Sequence, residues 1–133
     1  MTLKNTDNEY RITVSNRQTI DSETDTIEET AYGNYTEKNG KQYITYKTEN
    51  DGDKISSMIK IDGNEILIKR TGSVNSSMTY KVDTKKEFLY HLPYGTVPME
   101  IETQRIVSKL DENGGTIELV YTLTVQAEKY FND

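Results

Sequence analysis

Apolar and polar residues alternate one by one along most of this chain. Near the C-terminus Ile117, Leu119, Tyr121, Leu123 and Val125 hold one parity while Thr116, Glu118, Thr122 and Thr124 hold the other. Successive side chains of a strand point to opposite faces, so such a segment buries one face and wets the other. The same period of two runs through Tyr10, Ile12 and Val14, through Ile55, Ser57, Ile59 and Ile61, and through Ile66 and Ile68. A helical period of 3.6 would scatter these residues around a cylinder instead of gathering them on one side. The pattern predicts an all-β protein of about eight or nine strands.

Turn residues separate the runs at hairpin spacing. Asn39-Gly40 falls between the segments 32–38 and 41–48, Asp51-Gly52 precedes the next, and Asp62-Gly63-Asn64 joins 55–61 to 65–70. Asn113-Gly114-Gly115 stands between 101–110 and 116–125. Asn-Gly and Asp-Gly supply the positive backbone angles of tight turns whose twist matches paired strands, so neighbours in sequence are expected to be neighbours in the sheet. A meandering antiparallel barrel or a sandwich satisfies that rule.

With 133 residues and no visible linker the chain reads as one domain, large enough to bury about two-thirds of its unfolded surface. Residues 1–9 are expected to form a flexible N-terminus and residues 10–133 a single β-barrel domain. Ten tyrosines carry much of the bulk that two phenylalanines and no tryptophan cannot, which predicts a core edged with hydroxyl hydrogen bonds. The first residues lack an apolar signal-peptide core, and no run of apolar residues is long enough to cross a bilayer as a helix. A cytoplasmic protein is expected.

Composition narrows the chemistry further. The net charge of −6 repels phosphate backbones and anionic lipid, so neither nucleic acid nor membrane is an expected partner. Lys81, Lys85 and Lys86 form the one basic cluster and read as a solvated hairpin tip. Without cysteine, and with His91 as the one histidine, thiolate and multi-histidine metal sites and a cysteine–histidine dyad are excluded. Asp21, Glu23 and Asp25 alternate as calcium ligands can, but no glycine bends the run into a loop and no bidentate glutamate follows at the required offset. No metal or other cofactor is expected, and the absence of a nucleophile–base or paired-acid constellation argues against an enzyme.

Arg70 is the residue with most to explain. It shares parity with Ile66 and Ile68 and so points toward the buried face, where an unpaired guanidinium costs several kcal/mol. Two structural partners are available: Glu29, which shares parity with Ile27 and Ala31, and the carbonyls of Thr71-Gly72. The functional alternative is that Arg70 faces a cavity and grips an anionic ligand through its forked donors.

Several short motifs resemble one family in order and spacing. They are Gly33-Asn34-Tyr35, Tyr43 to Tyr46, Leu67 to Gly72, Met78, Tyr90, Tyr94-Gly95, and Met99 to Thr103, with Arg70-x-Gly72 and Tyr94-Gly95 the most specific. The chain resembles the YwiB-like proteins over roughly residues 10 to 125. These are small bacterial proteins with no assigned activity. The resemblance implies a lipocalin-like or calycin-like barrel, and it transfers no catalytic residue. Thr48 and Leu92 depart from the family pattern. The family chain tends to continue with another strand, a place that residues 127–131 could take here.

An eight-stranded barrel either fills with side chains or encloses one small ligand. The first expectation is therefore a small, partly apolar and anionic ligand at the mouth or interior, contacted by Arg70, Tyr46, Tyr80, Tyr90 and Tyr121. The alternative is a protein-interaction module that uses a sheet edge or the 90–98 loop around a filled barrel. Either a monomer or a homodimer is compatible with the sequence.

Overall fold

The structure is a computed structural model that describes residues 1–6, 9–20, 23–92 and 95–125. Ten strands follow one another: β1 (Thr2–Thr6), β2 (Glu9–Ile20), β3 (Glu23–Lys38), β4 (Lys41–Asn50), β5 (Asp53–Asp62), β6 (Glu65–Gly72), β7 (Ser76–Lys81), β8 (Lys85–Leu92), β9 (Gly95–Asp111) and β10 (Gly114–Val125). They form one antiparallel sheet in the order β7-β6-β5-β4-β3-β2-β1-β10-β9-β8. Every laddered pair but β1–β10 is consecutive in the chain, as the hairpin turns require. Asn39-Gly40 and Asp51-Gly52 have positive φ at both residues, the geometry of type I′ turns.

The sheet curls into a nearly closed barrel. Its end strands, β7 and β8, share no ladder; closure rests on a parallel bridge between Val82 and Thr103 and on the Asp83 amide, which donates to the Thr103 carbonyl at 3.1 Å. Inward side chains form the core: Ile12, Ala31, Ile44, Ile59, Ile61, Ile66, Tyr80, Ile101 and Ile117 are all buried. Direct cross-strand partners build it in rows, one running Tyr35, Ile44, Ile59, Ile68 and Met78 across β3 to β7. β-branched side chains fit this pleated surface well, and opposed pairs are the unit of its stability.

One end of the barrel is tied shut. Gln42 donates from Nε2 to the Leu110 carbonyl at 2.9 Å and to the Tyr35 hydroxyl at 2.8 Å, and the Tyr10 hydroxyl donates to the Glu112 carbonyl at 2.5 Å. These bonds join β2, β3 and β4 to the β9–β10 turn across the interior. The edging of the core by tyrosine hydroxyls is thus realised mainly at this base.

The observed fold differs from expectation in four places. Residues 2–6, expected within a flexible N-terminus, form β1, which inserts between β2 and β10 with Leu3 buried. This raises the count to ten strands among the described residues. Gly114 and Gly115 lie in β10 and not in the turn, which is Glu112–Asn113; a Cβ on Gly115 would stand 1.8 Å from the Lys109 carbonyl oxygen. The parity of β10 holds, but Leu123 and Val125 are 46% and 51% exposed, since β10 rises past the wall. Finally, Ile27 is 60% exposed because β3 pairs β4 only from Gly33 onward, leaving its first half in a two-stranded ribbon with β2.

Asp21 and Ser22, Pro93 and Tyr94, and the tail 126–133 lie outside the described residues, so neither the full acidic run nor the final strand is placed. Glu23 and Asp25 sit on the ribbon, and among the described residues no group of three acidic or histidine side chains could hold a metal ion.

Candidate functional site

The register brings four of the inward polar residues into one line. Gly33 opposes Tyr46, Tyr46 opposes Ser57, Ser57 opposes Arg70, and Arg70 opposes Ser76. Directly opposed residues have Cβ atoms about 5 Å apart, so Tyr46, Ser57, Arg70 and Ser76 form a continuous polar row across β4 to β7. Tyr46, Ser57 and Ser76 are buried and Arg70 is half-buried, two residues from the end of its strand. The row therefore lies next to the apolar isoleucine row on the side away from the tied base.

Gly33 lets the row form. A Cβ there would stand 2.0 Å from the Thr45 carbonyl oxygen and 2.8 Å from the Tyr46 Cβ. Only a residue without a side chain allows this approach of β3 to β4, and the Tyr46 ring is held inward beside it.

The structural partners expected for Arg70 are not in place. Glu29 is exposed on the β2–β3 ribbon, and the ion pairs described are Lys41–Asp62, Lys85–Glu102 and Arg105–Glu118. Among the described residues no carboxylate or carbonyl is hydrogen-bonded to the Arg70 guanidinium. Beside it the Ser76 hydroxyl is buried and has no partner among the described residues. The row thus holds a cation and a donor hydroxyl, both unspent.

Tyr80 and Tyr121 meet a short way along the barrel. Their ring centroids are 5.1 Å apart at an interplanar angle of 63°, an edge-to-face contact between β7 and β10. The Tyr80 hydroxyl lies 3.6 Å from the Met78 sulfur, so it leans toward the Arg70–Ser76 end of β7. Burial pushes the Tyr80 phenol well above its ordinary range, and the nearby Tyr121 adds to this while the positive charge of Arg70 opposes it. Arg70, Tyr80 and Tyr121 therefore belong to one interior neighbourhood, and Tyr46 joins it through the row. Tyr90 lies on β8, but its side chain is outside the described residues, as is that of His91.

Three participants escape a reading of the sequence. Ser57 holds the inward parity of Ile55 and Ile59 but, like Ser76, carries no mark of a role in the sequence. Thr103 is almost fully buried with an unpartnered hydroxyl. It is inward because β9 carries a bulge: Val120 opposes Arg105 but Tyr121 opposes Thr103, which leaves Gln104 as the extra residue. Inward parity on β9 switches there from Ile101 and Thr103 to Ile106. A groove of about 460 Å³ also exists, but it lies on the outer face of β3 to β6, among Tyr32, Asn34, Lys47, Met58 and Lys69.

Comparison with known proteins bears on the whole barrel. An uncharacterized β-barrel protein of Bacillus subtilis (strain 168), YwiB, is 28% identical over 109 residues, which are 82% of this chain and 77% of that one. The crystal structure of the ywiB protein from Bacillus subtilis superposes with a TM-score of 0.81 at 26% identity, covering 86% of this chain and 80% of that chain. The pattern of a domain of unknown function, DUF1934, matches residues 12–132. The chain belongs to this DUF1934 family of β-barrel proteins.

Proposed function

We propose that the barrel is a lipocalin-like, non-catalytic binder of a small anionic molecule, held at the open end by Arg70. One observation carries this reading: a half-buried guanidinium that no acid among the described residues neutralises, set in a row with the Ser76 hydroxyl, which has no partner among them either. Native proteins rarely leave such groups unsatisfied, and a carboxylate, sulfonate or phosphate would take the forked donors of Arg70 and the hydroxyl together. Tyr121, Leu123 and Val125, on the inward face of β10 near the rim, offer an apolar surface to the rest of the molecule. The buried isoleucines form one apolar cluster beneath, so the proposed place of the ligand is the mouth. The proposed setting is the cytoplasm, as a monomer or homodimer; no helix among the described residues is long and apolar enough to cross a membrane.

A head-group series tests the reading. Octanoate, octanol and octylamine share a chain length and differ in charge. Titration calorimetry should rank octanoate first by at least tenfold, and Arg70→Met should erase the ranking. Equal affinities for the three, or a ranking untouched by Arg70→Met, would remove Arg70 from the site.

A further inference from the structure

Among the described residues the wall of the barrel has a gap directly above β1. β1 pairs β2 from Thr6 up to Thr2 and pairs β10 only from Lys4 to Thr2. Met1 completes that line: its amine donates to the Ile117 carbonyl at 2.7 Å and its carbonyl accepts from the Ile117 amide at 2.8 Å. Past this point β2 continues from Val14 to Ile20 and β10 from Glu118 to Val125, and among the described residues nothing is laddered to the facing edge of either. Adjacent strands lie about 4.8 Å apart, so two strands with a third between them are about 10 Å apart. The opening therefore starts at the top of β1 with the width of one extended chain.

The edge on the β10 side is ready for pairing. Backbone groups alternate sides along a strand, and those of Ile117 face β1. The amides and carbonyls of Leu119, Tyr121, Leu123 and Val125 therefore face the gap, while the residues between them serve the β9 ladder. The bulge does not disturb this alternation, because its extra residue is on β9. Natural proteins blunt exposed edges with lysine, proline or charge, and β8 follows that rule with Lys85, Lys86 and Glu87. Residues 119–125 of β10 contain no charged residue and no proline, and Val120, Leu123 and Val125 are exposed.

Charge identifies what enters. Among the described residues, β2 and β10 past the end of β1, together with residues 23–30 of β3 behind β2, carry five acidic residues against one arginine, Arg17. We infer that this gap is a β-addition site for an extended segment of a partner protein, with alternating apolar and basic residues, lying parallel to β1 and antiparallel to both β2 and β10. Main-chain hydrogen bonds to β10 supply affinity, the apolar side chains cover the inward face of β10, and the basic ones lie in the net negative field of the rim. This site is independent of Arg70, because it uses backbone edges and not the interior row.

The test uses a capped ten-residue peptide of five Val-Lys repeats. Comparators are five Val-Glu repeats and a peptide of the same valine and lysine content arranged in pairs, Val-Val-Lys-Lys. The alternating basic peptide should bind at least tenfold tighter than either. Amide exchange in the wild-type protein should slow at Leu119, Tyr121, Leu123 and Val125 and stay unchanged at Val120, Thr122 and Thr124. Leu123→Pro removes one gap-facing amide without touching the β9 ladder, and should weaken the peptide at least tenfold. Should that variant fail to fold, the exchange pattern of the wild type decides. Equal binding of the paired-sequence peptide, or protection away from the odd-numbered β10 amides, overturns the proposal.

Discussion

Replacing Arg70 by methionine separates a structural arginine from one kept for a ligand, because the two predict opposite signs. A guanidinium tied to buried acceptors would leave them unpaired on removal, at a cost of about 2 kcal/mol or more. Here no acid or carbonyl among the described residues holds it, and its row neighbours are two serines. Methionine keeps the apolar stem packed beside Ile68 and Met78 and removes only the charged head. Exchanging fully buried charges for apolar groups has stabilised proteins by about 1 to 4 kcal/mol, and the half-exposed Arg70 belongs at the low end, near 1 kcal/mol. For a domain of this size that raises Tm by about 4 °C. Urea and thermal unfolding of the ligand-free protein measure it directly. A loss of about 2 kcal/mol or more in Arg70→Met would mean that the side chain is anchored in the fold, and the argument from an unspent cation would be wrong.

Other perturbations follow from single contacts. Thr103→Val removes a buried, unpartnered hydroxyl at nearly constant volume, and chemical denaturation should show a gain of about 1 kcal/mol; a loss would mean the hydroxyl is bonded in solution. Gly33→Ala drives a methyl into the Thr45 carbonyl and should cost about 3 kcal/mol, whereas Gly40→Ala, with open space around it, should lose only what its positive φ imposes. The Tyr80 phenol ionises less readily folded than unfolded, so its contribution is fully present below about pH 10 and is lost as pH rises above it, at up to about 1.4 kcal/mol per pH unit. Unfolding curves between pH 9 and 12 should show that decline, and Tyr80→Phe should flatten it. Ile44→Ala should cost about 2 to 5 kcal/mol by calorimetry, since its side chain is wholly buried.

Strand parity and turn chemistry made most of this architecture legible in the sequence. The inward placement of Arg70 followed from its spacing to Ile66 and Ile68, and the row joining it to Tyr46 follows once the hairpins fix the register. Three features were hidden for definite reasons. β1 is recognisable only as an inserted strand, because its one buried apolar residue, Leu3, is too little pattern to mark a period. The bulge at Gln104 moves Thr103 and Ile106 to the same face although they differ in parity, which no alternation rule anticipates. The exposure of Ile27 and Leu123 depends on how far neighbouring strands extend, and strand length is set by pairing partners elsewhere in the chain.

The uneven strand lengths account for more than those exposures. A closed barrel hides every edge, and, the unladdered β7–β8 seam aside, this one would do so if β1 were as long as its neighbours. Instead β1 pairs five residues of the 12 in β2 and three of the 12 in β10. β10 consequently rises beyond the wall with its inner face uncovered at Leu123 and Val125, and acidic Glu29 of β3 is exposed at the same rim. An isolated two-stranded ribbon is marginal in water, so the β2–β3 projection gains stability from whatever bridges it to β10, which β9 and β8 already back. A strand inserted above Met1 would ladder both at once, and it would narrow the mouth in front of Arg70. Occupation of the gap should therefore slow the exchange of a small anion at Arg70 without changing which head group is preferred, a coupling that stopped-flow displacement of octanoate with and without the Val-Lys peptide can measure.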